Sequence, residues 1–438
     1  MIIEGFARAK PVLSRQAVSG LGDISDALKE RLEKMFGTPD AEQVVAQIIR
    51  SVRERGDAAL RDYTLRIDGV ELGSLAVSRG QIDTATREVA PDFLTALKLA
   101  AERIAVFHIT EKEALLSGVS RMGGKMLVRP LERVGIYIPG GTASYPSTVL
   151  MTVIPARAAG VGEIILMTPP QKNGRVSPFT LAAAQIAGVS RIFSVGGAQA
   201  IAALAYGTES VPKVDKICGP GNIFVMLAKK QVFGAVDIDG LQGPSEVLII
   251  ADAKADPSYC AADLLAQAEH DPLASAILIT TSRVLADEVN RELAVQLTDL
   301  PRRDIAGESL GSRGKIAVVS SVDEAIALAN LYAPEHLCLM VENAESYIDK
   351  ITNAGCIFVG DNTAEVLGDY VAGPSHALPT GGTARFSSPL NVMDFIKLIN
   401  VVALNEENPA RLWRAAATIA RAEGLEAHAR AADKRLKS

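Results

Sequence analysis

Two series of short apolar runs, each run followed by a stretch of helical character, occupy the middle of the chain. The first comprises Val134 to Ile138, Glu163 to Met167, Arg191 to Val195 and Lys216 to Cys218. The second comprises Glu246 to Ile250, Ala276 to Thr280, Lys315 to Val319 and Cys356 to Val359. A strand that is apolar throughout has to be covered on both faces, and strands that alternate with helices join into parallel sheets through crossovers. The expected fold class is therefore α/β: two doubly wound (incomplete Rossmann-like) parallel-sheet domains plus helical N-terminal and C-terminal extensions. A chain of 438 residues is long enough for two or three domains, and 48% hydrophobic with only 5% aromatic residues suits cores of Ala, Val, Ile and Leu.

From Asp23 to about Thr110 the apolar residues recur at helical spacing, as in Val44, Val45, Ile48, Ile49 and Val52 and again in Leu94, Leu97, Leu99 and Ile104. Glu113 to Leu131, with Gly118, Gly123 and Gly124 among scattered charges, reads as a connecting loop or small ribbon. Beyond Pro389 the sequence turns into an Ala-rich, Arg-rich helical tail through Lys437, of the kind that docks on a partner subunit. The expected division is 1–22 as an N-terminal extension, 23–136 with 246–388 as one Rossmann-like domain, 137–245 as a second, and 389–438 as the tail. No repeat or low-complexity segment is visible, which excludes a solenoid.

Lys+Arg 45 against Asp+Glu 51 gives a net charge of -6, and no basic stretch interleaves with aromatics, so nucleic acid is not an expected partner. Met1 to Leu13 lacks the apolar core of a leader, and no apolar run approaches the roughly 20 residues that cross a bilayer. A cytoplasmic, membrane-free protein is expected. The four cysteines, Cys218, Cys260, Cys338 and Cys356, are widely separated and form no CxxC pair, as buried reduced thiols would.

The doubly wound pattern invites a nucleotide, yet no complete dinucleotide fingerprint and no Walker sequence occurs; the G-x-G triplets at Gly20, Gly160 and Gly219 stop short of the third glycine. Three turns remain, each after a strand: Tyr137-Ile138-Pro139-Gly140-Gly141, Gly196-Gly197-Ala198-Gln199 and Gly219-Pro220-Gly221-Asn222. Each combines small residues for close approach with one polar side chain, at strand ends where open α/β sheets bind ligands.

Only five histidines occur, and two of them close Gln267-Ala268-Glu269-His270 and Pro334-Glu335-His336-Leu337. Imidazoles beside carboxylates and amides suit metal ligation and proton transfer near neutral pH. A helix over Ala261 to His270 puts Gln267 and His270 one turn apart on one face, while adjacent Glu335 and His336 diverge at the start of a strand from Leu337 to Met340. Asp369 and His376 fall in the loop-rich stretch Glu365 to His376, Glu423 and His428 share the tail, and Ser245 lies in the turn Gly243-Pro244-Ser245-Glu246. Taken singly, each of these has an ordinary structural explanation as a turn, a polar helix face or a satisfied histidine. By spacing alone a zinc enzyme or an acid/base enzyme stands beside a zinc hydrolase, in which Glu335 or Glu269 would activate a metal-bound water, and beside a non-catalytic binding module.

In this order, and over nearly the whole chain, these segments resemble the histidinol dehydrogenase family. The most specific are Gly135-Ile136-Tyr137-Ile138-Pro139-Gly140-Gly141, Gly196 to Ala202, Gly219-Pro220-Gly221-Asn222, Gly243-Pro244-Ser245-Glu246, Gln267-Ala268-Glu269-His270, Ala333-Pro334-Glu335-His336-Leu337 and Gly368-Asp369-Tyr370. The resemblance implies an NAD-dependent, zinc-dependent double oxidation of L-histidinol to L-histidine through bound L-histidinaldehyde, the last steps of histidine biosynthesis. It implies Gln267, His270, Asp369 and His428 as ligands of one Zn2+ per subunit, and Tyr137, Gln199 and Asn222 as NAD contacts. It further implies Ser245, Gln267, His270, His336, Asp369, His376, Glu423 and His428 around the substrate, His336 as the base for the alcohol proton and Glu335 as the base that activates water. A homodimer whose tail residues complete the partner's site also follows from it. The chain departs from the family pattern at Ser375, in Glu113 to Leu131 and at Gly240-Leu241-Gln242, none of them a ligand position; a same-fold dehydrogenase acting on another polar or amino alcohol is the alternative those departures leave.

Overall fold

A computed structural model describes residues 2–15, 24–120, 126–140, 144–403 and 409–436. Gly20, Gly123, Gly124 and Gly141 of the sequence motifs lie outside the described residues. The strands are β1 (Ile2–Glu4), β2 (Met126–Pro130), β3 (Arg133–Tyr137), β4 (Glu163–Thr168), β5 (Arg191–Ser194), β6 (Lys216–Cys218), β7 (Asp237–Ile238), β8 (Glu246–Ala251), β9 (Ser275–Thr280), β10 (Lys315–Val318), β11 (His336–Met340), β12 (Cys356–Val359) and β13 (Ile396–Asn400). The chain divides into two compact units, Met1–Leu115 with Pro130–Lys397 and Leu116–Arg129 with Leu398–Ser438.

The first unit contains two parallel sheets. One has the order β5-β4-β3-β6-β7 and the other β1-β10-β9-β8-β11-β12. Both reverse their winding once, between β3 and β6 in the first and between β8 and β11 in the second, which is the doubly wound arrangement expected of the sequence. Their strands are apolar because both faces are covered. In β8, all six residues from Glu246 to Ala251 are buried; Val247, Ile249 and Ala251 enter the cluster under the helices Pro257–Ala268 and Arg283–Leu297. Leu248 and Ile250 enter the opposite cluster, under the helices Phe6–Leu13 and Val322–Tyr332. Alternate burial on two faces in this way is what a central parallel strand requires.

Several elements differ from the sequence expectation. Residues Ile2–Glu4 are an edge strand, β1, paired in parallel with β10, and β7 extends the smaller sheet beyond β6; both are too short to show a period. The helix Pro91–Ser120 runs for 30 residues through much of the stretch read as a loop from Glu113. The helices between residues 26 and 104 bury Val44, Ile48, Leu60, Leu97 and Ile104 with residues of β3 to β6, whereas the sequence reading groups 23–136 with the strands after 246. β3 likewise pairs with β4 and β6.

In the second unit the helices Ala410–Ala422 and Glu426–Arg435 form a hairpin whose core is Ala417, Ala420, Ala429 and Ala432 against Trp413. Gly424, at φ 76°, supplies the left-handed residue of the turn between them. β2 and β13 pair as a two-stranded sheet.

Candidate active site

The three glycine turns sit at the carboxyl ends of β3, β5 and β6, around the point where the smaller sheet reverses. Their backbones are locked together. A Cβ on Gly219, which has φ 114°, would lie 2.0 Å from the carbonyl oxygen of Tyr137. Cβ atoms on Gly140 and Gly196 would each meet the ring of Pro169 at 2.5 Å, so one proline separates two turns. Beneath Gly219 the buried Lys229 ammonium pairs with Asp239 and donates to the Gly219 carbonyl at 3.1 Å and to Gln242 Oε1 at 3.0 Å.

The side chains in these turns are placed to receive something polar. Tyr137 is buried, its hydroxyl accepts the Gly197 amide at 3.1 Å, and burial pushes its pKa up to about 12. Gln199 is fully buried, and neither its Oε1 nor its Nε2 has a hydrogen-bond partner. Asn222 caps the helix Ile223–Val232, its Oδ1 accepting from Phe224 and Val225 amides at 3.1 and 3.2 Å, which leaves the amide NH2 to offer a ligand. Asp68, a residue the sequence reading missed, has a buried, unpartnered Oδ2 close enough to act on Tyr137, and burial pushes its pKa up to about 6. Orphaned buried donors and acceptors are costly unless a ligand satisfies them. A dinucleotide, with both donors and acceptors, fits this set.

A second cluster gathers at the amino ends of β8 and β11, the opposite end from the usual ligand crevice of such a sheet. His336 opens β11 with Glu335 immediately before it, and Val247 of β8 stands opposite His336. The main chain of Glu246 serves both: its N–H donates to Glu335 Oε2 at 2.8 Å, and its carbonyl accepts from His336 Nδ1 at 3.1 Å. A carbonyl can only accept, so Nδ1 carries the proton and, in the neutral ring, the lone pair is on Nε2. Nε2 is buried and lacks a hydrogen-bond partner, with Asp369 Oδ1 3.5 Å away.

Glu365 is the other buried residue here that sequence reasoning passed over as a site residue. It opens the short helix Glu365–Tyr370, four residues before Asp369, and is 2% exposed. Its Oε1 is 3.7 Å from His336 Nδ1, and with the Gln267 amide turned so that its nitrogen faces Glu365, that Oε1 accepts from the amide nitrogen while the Gln267 oxygen accepts from the Glu246 N–H at 2.9 Å. Burial pushes both Glu335 and Glu365 up to about 8. Burial also pulls the His336 imidazole down, but Glu365, Glu335 and Asp369 outweigh it and hold its pKa above the ordinary histidine value. Asp369 is disfavoured by burial, yet the neighbouring His336 holds its pKa below the usual carboxylate value.

Gln267 is buried near the end of the helix Pro257–Ala268. That helix stops two residues before His270, so the expected helix over Ala261 to His270 is shorter than predicted and His270 sits in the following turn, exposed, on the wall of a cavity of about 470 Å³. The charge of Asp369 reaches it. The cavity is also lined by Tyr145, Ser147, Glu269, Arg302 and Tyr370. His376 binds back to the Asp369 carbonyl through Nδ1 at 2.8 Å and reaches Thr148 through Nε2 at 3.2 Å. Beside it, Ser375 Oγ donates to the Met151 carbonyl at 2.9 Å. Ser245 is partly exposed just before β8.

The ligand atoms of His336, Glu365 and Asp369 lie within 4.8 Å of one another and could hold a cation. This trio shares only Asp369 with the set the resemblance implies. Gln267, His270 and Asp369 still suit zinc as donors, an imidazole, a carboxylate and an amide oxygen whose second lone pair stays free when the first accepts from Glu246. Glu423 and His428 are exposed on the helical hairpin of the second unit. Among the described residues no helix is long and apolar enough to cross a membrane.

Residues 33–436 match the family model described as histidinol dehydrogenase. The chain is 58% identical over 435 residues to a histidinol dehydrogenase of Dehalococcoides mccartyi, covering 99% of each chain. It is 52% identical over 421 residues to one from Deinococcus radiodurans, covering 94% of this chain and 95% of that one. In three dimensions it is similar to the crystal structure of histidinol dehydrogenase from Elizabethkingia anophelis, with a TM-score of 0.87, 36% identity, and coverage of 100% of this chain and 97% of that one.

Proposed function

The chain belongs to the histidinol dehydrogenase family, and on that premise we propose that it oxidises L-histidinol to L-histidine in two successive steps of histidine biosynthesis, with L-histidinaldehyde held between them. The observation that carries this reading is the pair Glu335 and His336, both fixed by the main chain of Glu246, with His336 Nε2 left without a partner in a buried site.

We infer that Gln267, His270 and Asp369, with His428 of the partner subunit, hold one zinc, and that Tyr137, Gln199 and Asn222 hold NAD. Bound NAD would supply the hydride acceptor for each step, and bound zinc would supply a Lewis acid that orients the substrate. In its neutral form His336 accepts the hydroxyl proton of the alcohol at Nε2 as the carbon loses its first hydride. Glu335, with a pKa of about 8, is suited to take a proton from the water that adds to the aldehyde, and the hydrate then loses the second hydride to give the carboxylate. Ser245, His376 and Glu423 of the partner subunit orient the substrate. Burial of the pair excludes bulk water from the intermediate. The two sheets divide this labour, and residues 389–438 dock on the partner as a homodimer with no nucleic acid or membrane involved, in the cytoplasm.

The test is NADH formed per L-histidinol consumed by the zinc-loaded protein. A ratio of about two, lost on chelation and restored by zinc, is expected. A hydrolase built on the same carboxylates would turn over without NAD, and another alcohol substrate would leave L-histidinol unconsumed.

A further inference from the structure

Arg15 is 231 residues from Glu246 in the chain, yet its Nη2 donates to Glu246 Oε2 at 2.5 Å. The carboxylate side chain is only 6% exposed, and its other oxygen, Oε1, accepts from the Gly381 amide at 3.2 Å. The same guanidinium donates through Nε to the carbonyl of Tyr332 at 2.8 Å and lies 3.8 Å over that residue's ring. Tyr332 ends the helix that leads, through the left-handed Ala333 at φ 54°, into Glu335 and His336. One planar fork thus ties the start of β8 to the chain entering β11.

What lies at the junction is the main chain of Glu246, which holds both members of the pair through opposite groups. We propose that Arg15 is a positioning residue for Glu335 and His336, acting through Glu246. The proposal rests on the role given to that pair above. Without Arg15 the Glu246 carboxylate would be buried with no cation, and it would turn toward water or another donor. Its own N–H and carbonyl would rotate with it, shifting Glu335 Oε2 and tilting the His336 ring. A misplacement of about 1 Å at reacting groups can cost on the order of a hundredfold in rate. The guanidinium is needed as a fork, because it bonds two segments and stacks on a ring at once; an ammonium keeps the charge with less of the geometry.

The experiment compares Arg15→Met, Arg15→Lys, the double variant Arg15→Met/Glu246→Gln and His336→Asn as zinc-loaded, NAD-saturated enzymes, measuring kcat and KM for L-histidinol well below each variant's Tm. Arg15→Met is expected to lower kcat by roughly tenfold to a hundredfold with KM changed less than about threefold. Arg15→Lys should recover part of the rate. The double variant buries no unpaired charge and lacks only the fork, so it reports on positioning if Arg15→Met fails to fold, and it should lower kcat by at least about threefold with KM little changed. Variants of Arg15 that keep kcat within about twofold, or that lose only Tm or mainly KM, would overturn the proposal while His336→Asn remained inactive. Full activity of His336→Asn would overturn the assignment of the pair, and this proposal with it.

Discussion

His336 donates its Nδ1 proton to the main-chain carbonyl of Glu246 across 3.1 Å, and that single bond decides which nitrogen can act as a base. It places the lone pair of the neutral ring on Nε2, the atom with no protein partner. His336→Asn keeps a polar group on β11 but removes that lone pair. We expect kcat to fall by about 10²- to 10⁴-fold with a much smaller change in KM, in a protein whose thermal transition is near that of the parent. An unchanged kcat would remove His336 from the chemistry.

Glu335 receives its bond from the other side of the same residue, the Glu246 N–H. Glu335→Gln preserves volume and an oxygen acceptor while abolishing the base. The alcohol step, followed as the first NADH in a single turnover, should persist, and oxidation of added aldehyde should slow by about 10²-fold or more. Equal losses in both steps would contradict the separate roles.

Gln199 is buried with both ends of its amide unsatisfied. Gln199→Leu replaces it with an apolar group of similar size, so the protein without cofactor should melt at a higher temperature. NAD affinity, titrated by calorimetry, should drop by roughly tenfold, the worth of one to two hydrogen bonds. A variant that neither gains Tm nor loses affinity would show that the Gln199 amide meets solvent and not ligand.

Asp263 is 9% exposed on the helix that ends near Gln267, has an unpartnered Oδ2, and is pushed by burial up to about 6. A carboxyl whose folded pKa exceeds its unfolded one destabilises the fold when charged. That cost is full above pH 6, shrinks as pH falls through 6 and is gone below about 4. Asp263→Asn should therefore raise Tm by a few degrees at pH 8, reflecting roughly 1–3 kcal/mol, and by progressively less toward pH 5. A Tm difference independent of pH would mean that the carboxyl is not charged in the fold at pH 8.

The alternating strands and helices were legible because parallel strands buried on both faces have to be apolar from end to end, as β8 is. β1 escaped notice because Ile2–Glu4 carries two apolar residues and gains its place only by pairing with β10, more than three hundred residues on. The helix through Ser120 outran the expected loop since one internal glycine, Gly118, costs only about 1 kcal/mol against a run of good helix formers. Within the site, Gln267, Glu335, His336 and Asp369 stand in compact local motifs. Glu365, Asp68 and Arg15 matter through contacts made across the fold, and no local spacing marks them.

The ring of Pro169 stands within 2.5 Å of where a Cβ on either Gly140 or Gly196 would lie. Its volume sets the gap between two turns that belong to different crossovers. A side chain on either glycine would have to push Pro169 aside, and Pro169 is what the other turn leans on, so neither turn can be reshaped without disturbing its neighbour.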